Sequence, residues 1–143
     1  MKSIIDTMGL IDIISERHHQ LRRCSESMWS HNSNLYISNS EWLILANVYH
    51  KEHTTISYVT KNVDLTRQAT HKFIKRLEEQ GLVKVEQVPH NKKEKAIELS
   101  ELGIECFEKN EKFKAKIEED ISSQIGEEEL SQLKELLRTD WRI

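Results

Sequence analysis

Four glycines and one proline are the only strong breakers among 143 residues. A chain with so few places to turn cheaply is expected to be mostly helical. The glycines stand at positions 9, 81, 103 and 126, and the proline at 89. Gly81 and Gly126 coincide with the ends of amphipathic segments, as helix-ending glycines do. Pro89 sits between two runs that alternate apolar and polar residues, which is a different signature altogether.

The length suits one domain with a real core. Hydrophobic residues at 37% and charged residues at 31% fit a helix-rich protein with a large wet surface. No apolar run approaches the roughly 20 residues of a membrane span. Asp6 and Asp12 interrupt the N-terminal apolar stretch before it could serve as a signal-peptide core. A cytoplasmic protein without a membrane partner is therefore expected. Cys24 and Cys106 make neither a CxxC nor a zinc spacing, so no disulfide framework is expected. They read as small buried hydrophobes, with a redox-sensing thiol as the alternative.

Periodicity divides the chain into helices. Ile4, Met8, Ile11, Ile14, His18, Leu21 and Met28 share one face of a helix expected over about Ser3–His31. A helix this long outruns a small core, so part of it is expected to pack on another chain. Ser38 and Glu41 fit a capping box before a second helix with Trp42, Leu45, Ala46 and Tyr49 inward. A short helix follows over about Ile56–Val63, capped by Thr54 or Thr55. Thr66 is a plausible cap for RQATHKFIKRLEEQ, whose inner face is Thr70, Phe73, Ile74 and Leu77. Its outer face carries Gln68, Lys72, Lys75 and Glu79, with His71 on the flank.

Next, LVKVEQV and AIELS alternate on either side of PHNKKEK, and this reads as a β-hairpin with a basic tip. Two further helices close the chain. One spans about Glu101–Gln124, with Leu102, Cys106, Phe113, Ile117 and Ile121 inward. The other has a stripe of Leu130, Leu133, Leu137 and Trp141.

Charge is distributed unevenly along this order. The chain carries a net −3, yet residues 66–95 hold eight Lys/Arg against four Asp/Glu. A basic segment in an acidic molecule points to an anionic partner at one place, with nucleic acid foremost. Two helices ending in an exposed basic helix follow helix-turn-helix logic, and a hairpin directly afterwards can act as a wing over an adjacent groove or phosphates.

The stretch LTRQATHKFIKRLEEQGLVKVEQVPHNKKEKAIELSELG resembles the recognition helix and wing of MarR family winged-helix transcriptional regulators. LEEQGLV, the wing proline and the closing LSELG carry the likeness, and ISNSEWLIL resembles the family's opening of the second helix. The resemblance is close over roughly residues 35–105. It implies a mainly α fold with a small β-hairpin wing, a single domain over 1–143. Residues 35–100 would form the DNA-binding lobe, and 1–34 with 101–143 the dimerisation helices. It implies a homodimer reading a pseudo-palindromic operator on double-stranded DNA, usually as a repressor relieved by a small aromatic or anionic effector.

Within that frame Gln68 and His71 are the candidates for base edges, since glutamine can bond adenine in bidentate fashion. Arg67, Lys72 and Lys75 are candidates for phosphates, with Lys92 and Lys93 on the wing. Ser57 and Thr55 could offer a hydroxyl or amide to a phosphate or simply cap their helix. Arg76 points sideways, where an ion pair is as plausible as DNA. The family's wing usually carries Asp-x-Arg, and Asn91, Lys92 and Lys93 stand there instead. Lysine keeps the charge but lacks the planar fork, so a more salt-dependent grip is expected. His18, Arg22, Trp29, Tyr36 and Trp42 are candidates for an effector crevice.

The same residues bear on other classes of function. A winged helix can also dock an acidic protein. The chain has no Gly-rich phosphate loop, no G-x-S-x-G elbow and no metal-ligand cluster, so no enzyme, metal site or cofactor is expected. A thiol- or metal-responsive regulator remains an alternative through Cys24 or the histidines.

Overall fold

The computed structural model describes residues 3–143. Local chemistry sets most of its element boundaries. Ser3 and Asp6 close a capping box around a short 3-10 turn, Ile4–Thr7. Met8 and Gly9 are then extended, and helix α1 runs from Leu10 to Asn32. The single helix expected from Ser3 is thus broken near its start. Gly9 costs little to hold outside a helix, and its carbonyl accepts the Ile13 N–H at 3.0 Å as α1 begins.

Helix α2, Asn39–His50, opens on the expected box. The Ser38 Oγ accepts the Glu41 N–H at 3.2 Å, and Glu41 Oε1 accepts the Ser38 N–H at 3.0 Å. Thr55 caps α3, Ile56–Asn62, by accepting the Tyr58 N–H at 3.2 Å. Thr66 caps α4, Arg67–Glu79, by accepting the Ala69 N–H at 3.0 Å. At the other end Gly81 takes φ +78°. The Leu82 N–H returns to the Leu77 carbonyl and the Gly81 N–H to that of Glu78, each at 3.0 Å. These two bonds make a Schellman motif, which only a left-handed residue closes without strain.

The hairpin forms from β2, Val83–Val88, and β3, Asn91–Leu99. Val83 lies opposite Leu99 and Val85 opposite Ile97. The alternating runs announce only two strands, yet a third, β1, Thr54–Thr55, pairs with β3 and gives the order β1-β3-β2. Thr54 faces Ile97 and Thr55 faces Ala96. The loop is also shorter than PHNKKEK. Pro89 and His90 make the turn, with His90 left-handed at φ +65°. Pairing then passes from Val88 opposite Asn91 to Gln87 opposite Lys95, so Lys92, Lys93 and Glu94 are extra on the β3 side.

Two compact units result, one from Leu35 to Asn110 and one from the chain up to Asn34 together with Glu111–Ile143. In the first, Ile44, Leu45, Val59, Leu77 and Leu82 are fully buried. Helix α2 touches α3, α4 and β3, so Ile44 and Val48 are buried beside Trp42 and Leu45. Ala46 is only half-buried and Tyr49 is exposed, contrary to the expected stripe. Tyr49 lies instead against Phe107, ring centroids 4.3 Å apart.

Helix α5, Glu101–Ile125, buries Gly103, Cys106, Phe107 and Asn110. Expected inward, Leu102 is exposed, because the face is turned by one residue to bring Gly103 onto Leu82. A Cβ at Gly103 would run into the Leu82 carbonyl oxygen. That oxygen is fixed by the Ser100 N–H at 3.0 Å, so it cannot yield easily.

In the second unit Trp29 is buried and meets Phe113 edge-on, with centroids 6.4 Å apart. Phe113, Ile117 and Ile121 are half-buried. Helix α6, Glu127–Arg138, is tied to α5 by Lys134 and Glu118 at 3.1 Å. It ends before Trp141, whose indole N–H donates to the Leu136 carbonyl at 2.8 Å. Leu130 is half-buried, while Leu133, Leu137 and Trp141 are exposed. Among the described residues no helix is long and apolar enough to cross a membrane.

Candidate nucleic-acid interface

Helix α4 is positioned from within. Thr70, Ile74 and Leu77 are buried and Phe73 is half-buried, so the opposite face must look outward. Arg67, Gln68, His71, Lys72 and Lys75 are all exposed there. Thr70 is a buried polar residue in an otherwise apolar stripe. Its hydroxyl is satisfied locally, donating to the Thr66 carbonyl at 2.9 Å.

Arg67, His71 and Lys75 are spaced four residues apart and line one side of an open groove of about 600 Å³. Helix α3 supplies Ser57, Thr60 and Lys61 to it. The wing supplies Lys93, Glu94 and Lys95, with Val85 on β2. Among the described residues, none of Lys61, Arg67, Lys75, Lys93 and Lys95 is in an ion pair. Five cations outside any ion pair, against the two carboxylates Glu78 and Glu94, leave this concave surface net positive, and an anion can enter it without breaking a salt bridge.

The structure thus brings four of the expected DNA residues together: Arg67, His71, Lys75 and Lys93. Gln68, Lys72 and Lys92 do not line the groove and stay exposed outside it. Lys61, Glu78, Glu94 and Lys95 line it too, although the sequence reading assigns them no site role. Lys61 gave no signal, because its helix is short and its neighbourhood is made by residues far along the chain.

The wing carries its own local order. Asn91 Oδ1 accepts the Lys93 N–H at 3.1 Å, an Asx-type turn that shapes the backbone at Lys93. The first position of the motif thereby sets the third. Of Ser57 and Thr55, both expected to cap α3 or meet a phosphate, only Thr55 is the cap. The Ser57 hydroxyl instead donates to Glu94 Oε2 at 3.1 Å.

Arg76 resolves to the structural side. Its Nε stands 3.8 Å from Glu41 Oε2, and its guanidinium lies 5.2 Å from the Tyr36 ring centroid. Gln80 Nε2 donates to the Tyr36 carbonyl at 3.0 Å. Glu41 of α2, Arg76 of α4 and Gln80, the C-cap of α4, thus hold the segment that enters α2.

A buried three-helix scaffold presents a basic helix, and a three-stranded sheet places a basic turn beside it. Residues 37–103 match the family model of the winged helix DNA-binding domain. The winged helix sits in a chain whose fold is that of MarR-type transcription regulators. MepR, a transcription regulator of the Staphylococcus aureus multidrug efflux pump MepA, is 20% identical, with 91% of this chain and 94% of that chain covered at a TM-score of 0.74. MarR from E. coli is 17% identical, with 92% of this chain and 96% of that one covered, also at 0.74. A MepR variant from S. aureus bound to an oligodeoxyribonucleotide superposes at 0.66, with 20% identity and 91% and 94% of the two chains covered. At these identities the likeness is one of fold. No curated protein matches the chain in sequence.

The residues expected for an effector serve varied purposes around the winged helix and the helical unit. Trp29 and Trp42 are buried core residues. Tyr36 is exposed beneath Arg76. Arg22 is half-buried, and His18 is exposed with its ring 5.8 Å from that of His19. Among the described residues no three metal-ligating side chains cluster. Both cysteines are free, with Cys24 exposed and Cys106 buried. Burial pushes the Cys106 thiol pKa up, Glu105 adds to this, and Lys109 opposes it.

Proposed function

We propose that this protein is a transcription regulator that binds double-stranded DNA as a homodimer on a pseudo-palindromic operator. The convergence of α4 and wing cations on one groove carries this reading. Helix α4 enters a major groove, about 12 Å wide, with Gln68 and His71 toward base edges. Arg67, Lys72 and Lys75 hold phosphates on the way in. Lys92 and Lys93 reach from the wing to the neighbouring backbone or minor groove.

Dimerisation is supported by apolar residues left in water. Leu10, Ile11, Leu136, Leu137 and Trp141 are exposed. Each aliphatic side chain among them is worth about 1.5–3 kcal/mol when fully buried, so a partner surface is strongly favoured. A second copy brings a second winged helix, and two-fold symmetry then sets two recognition helices roughly 34 Å apart. As a regulator the protein acts where the DNA is, in the cytoplasm. It represses, and a small aromatic or anionic effector relieves repression.

The test is a gel shift with the protein's own upstream DNA and random competitor at two salt concentrations. A shift that survives competitor at physiological salt supports the regulator. Equal competition by random DNA at both salts would leave a non-specific binder and sink it. Sedimentation of the free protein checks the dimer. An aromatic carboxylate that raises the melting temperature and releases the shifted DNA checks the effector.

A further inference from the structure

Glu94 and Glu78 are the two carboxylates that line a groove carrying five lysine and arginine side chains. Glu78 belongs to α4, and Glu94 alone comes from the wing. It lies among the three residues that β3 has in excess of β2, between Lys93 and Lys95. It is half-buried, and Ser57 on α3 donates its hydroxyl to Oε2 at 3.1 Å. Ser57 and Glu94 both line the groove, with Lys61, Arg67 and Lys75 around it. Among the described residues none of these cations forms an ion pair with Glu94. Its charge is therefore anchored by a neutral donor and left to act on whatever enters.

A carboxylate needed only to hold the wing would do so equally well paired with one of the five cations. Here it is held by a hydroxyl, across 37 residues of sequence, and the cations stay free. We propose that Glu94 is a charge gate on this groove, which opposes backbone phosphates and limits the affinity for duplex DNA of any sequence. Fixed at the groove wall, its charge repels a phosphate that the surrounding lysines attract, and it cancels about one cation's worth of that attraction. The wing thereby grips DNA less tightly than its lysines alone would make it grip.

This inference rests on the groove being the DNA-binding site, and random duplex DNA is the probe that separates the two claims. Anisotropy titrations over a range of salt would compare wild type, Glu94→Gln and Ser57→Ala. Glutamine keeps an oxygen for the Ser57 hydroxyl and removes only the charge. Glu94→Gln is expected to bind random duplex about three- to tenfold more tightly. Its log–log salt slope should steepen by about 0.9, one further phosphate neutralised. Ser57→Ala keeps the charge and should keep the wild-type slope. A structural role alone would leave the slopes of all three alike.

Wild-type affinity and slope in Glu94→Gln, alongside a specific operator shift, would overturn the gate and leave the regulator standing. A steeper slope in Ser57→Ala equal to that of Glu94→Gln would overturn it too, since a change that leaves the carboxylate charge in place would then have the same effect. Gain on random DNA without operator discrimination would support the gate and sink the regulator. Failure of every variant to bind any duplex would sink both.

Discussion

The Nε of Arg76 lies 3.8 Å from Oε2 of Glu41, and the Glu41 side chain has no exposure to solvent while that of Arg76 is 43% exposed. One oxygen of this carboxylate is committed to the cap of α2. The other has no hydrogen bond, so the arginine is its main compensation. Helix α4 and the start of α2 are therefore coupled through a charge pair, with Tyr36 under the guanidinium.

Replacing Arg76 by leucine should cost more than replacing Glu41 by glutamine. The first leaves a buried carboxylate without a cation, and the second keeps the capping hydrogen bond and frees an arginine that already reaches water. Breaking a fully buried pair costs about 3–5 kcal/mol. Solvent at Arg76 reduces that to about 1–2 kcal/mol. Urea denaturation of the two variants would show the order, and equal losses would argue against the coupling.

Gly103→Ala should destabilise the winged helix. Alanine in a helix is worth about 1 kcal/mol over glycine. Here the added Cβ meets the Leu82 carbonyl, which the Ser100 N–H already holds. Overpacking of this kind costs about 1–3 kcal/mol, so the clash outweighs the propensity. A lower melting temperature is expected. A raised one would mean that α5 can shift away at little cost.

Gln68 and Lys93 should fail in different ways on DNA. Gln68→Ala should lose about 1–3 kcal/mol on the operator and little on random duplex, because base contacts discriminate. Lys93→Ala should weaken both alike and reduce the salt slope by about 1, because phosphate contacts do not discriminate. Unchanged affinity and slope on both DNAs in Lys93→Ala would remove the wing from the interface.

The two thiols should react in sequence. Cys24 is exposed, whereas burial both hides Cys106 and raises its pKa. A raised pKa means less thiolate at any given neutral pH, and the thiolate is the nucleophile. A chromogenic disulfide at neutral pH should consume one thiol per chain quickly and the second slowly. The slow phase should accelerate on unfolding. Its rate should go on rising with pH above the ordinary thiol range. Two equal fast phases would contradict the packing around Cys106.

Helix caps were legible in the amino acids because capping is a negotiation between near neighbours. Ser38 with Glu41, Thr66 and Gly81 each meet partners within five residues, and each stands where its chemistry puts it. The two alternating runs around Pro89 likewise identify the hairpin, since a two-residue period and a turn are local signals. Strand β1 is the opposite case. Two threonines have no pattern of their own, and Thr54 becomes a strand only because Ile97, far along the chain, lies beside it.

The sequence by itself determined the order of the six α-helices and the hairpin, the basic face of α4 and the basic turn after it. Those follow from periodicity, capping and charge, which act over a few residues. Tertiary structure alone decided that Arg76 lies beside Glu41, and that Leu102 yields its inward place to Gly103. It also decided that Lys61 joins the groove, and that Ser57 holds Glu94 within it. Each of these depends on which surfaces meet across the fold, and a side chain's partner at that range is set by packing, to which its own neighbours in sequence give no clue.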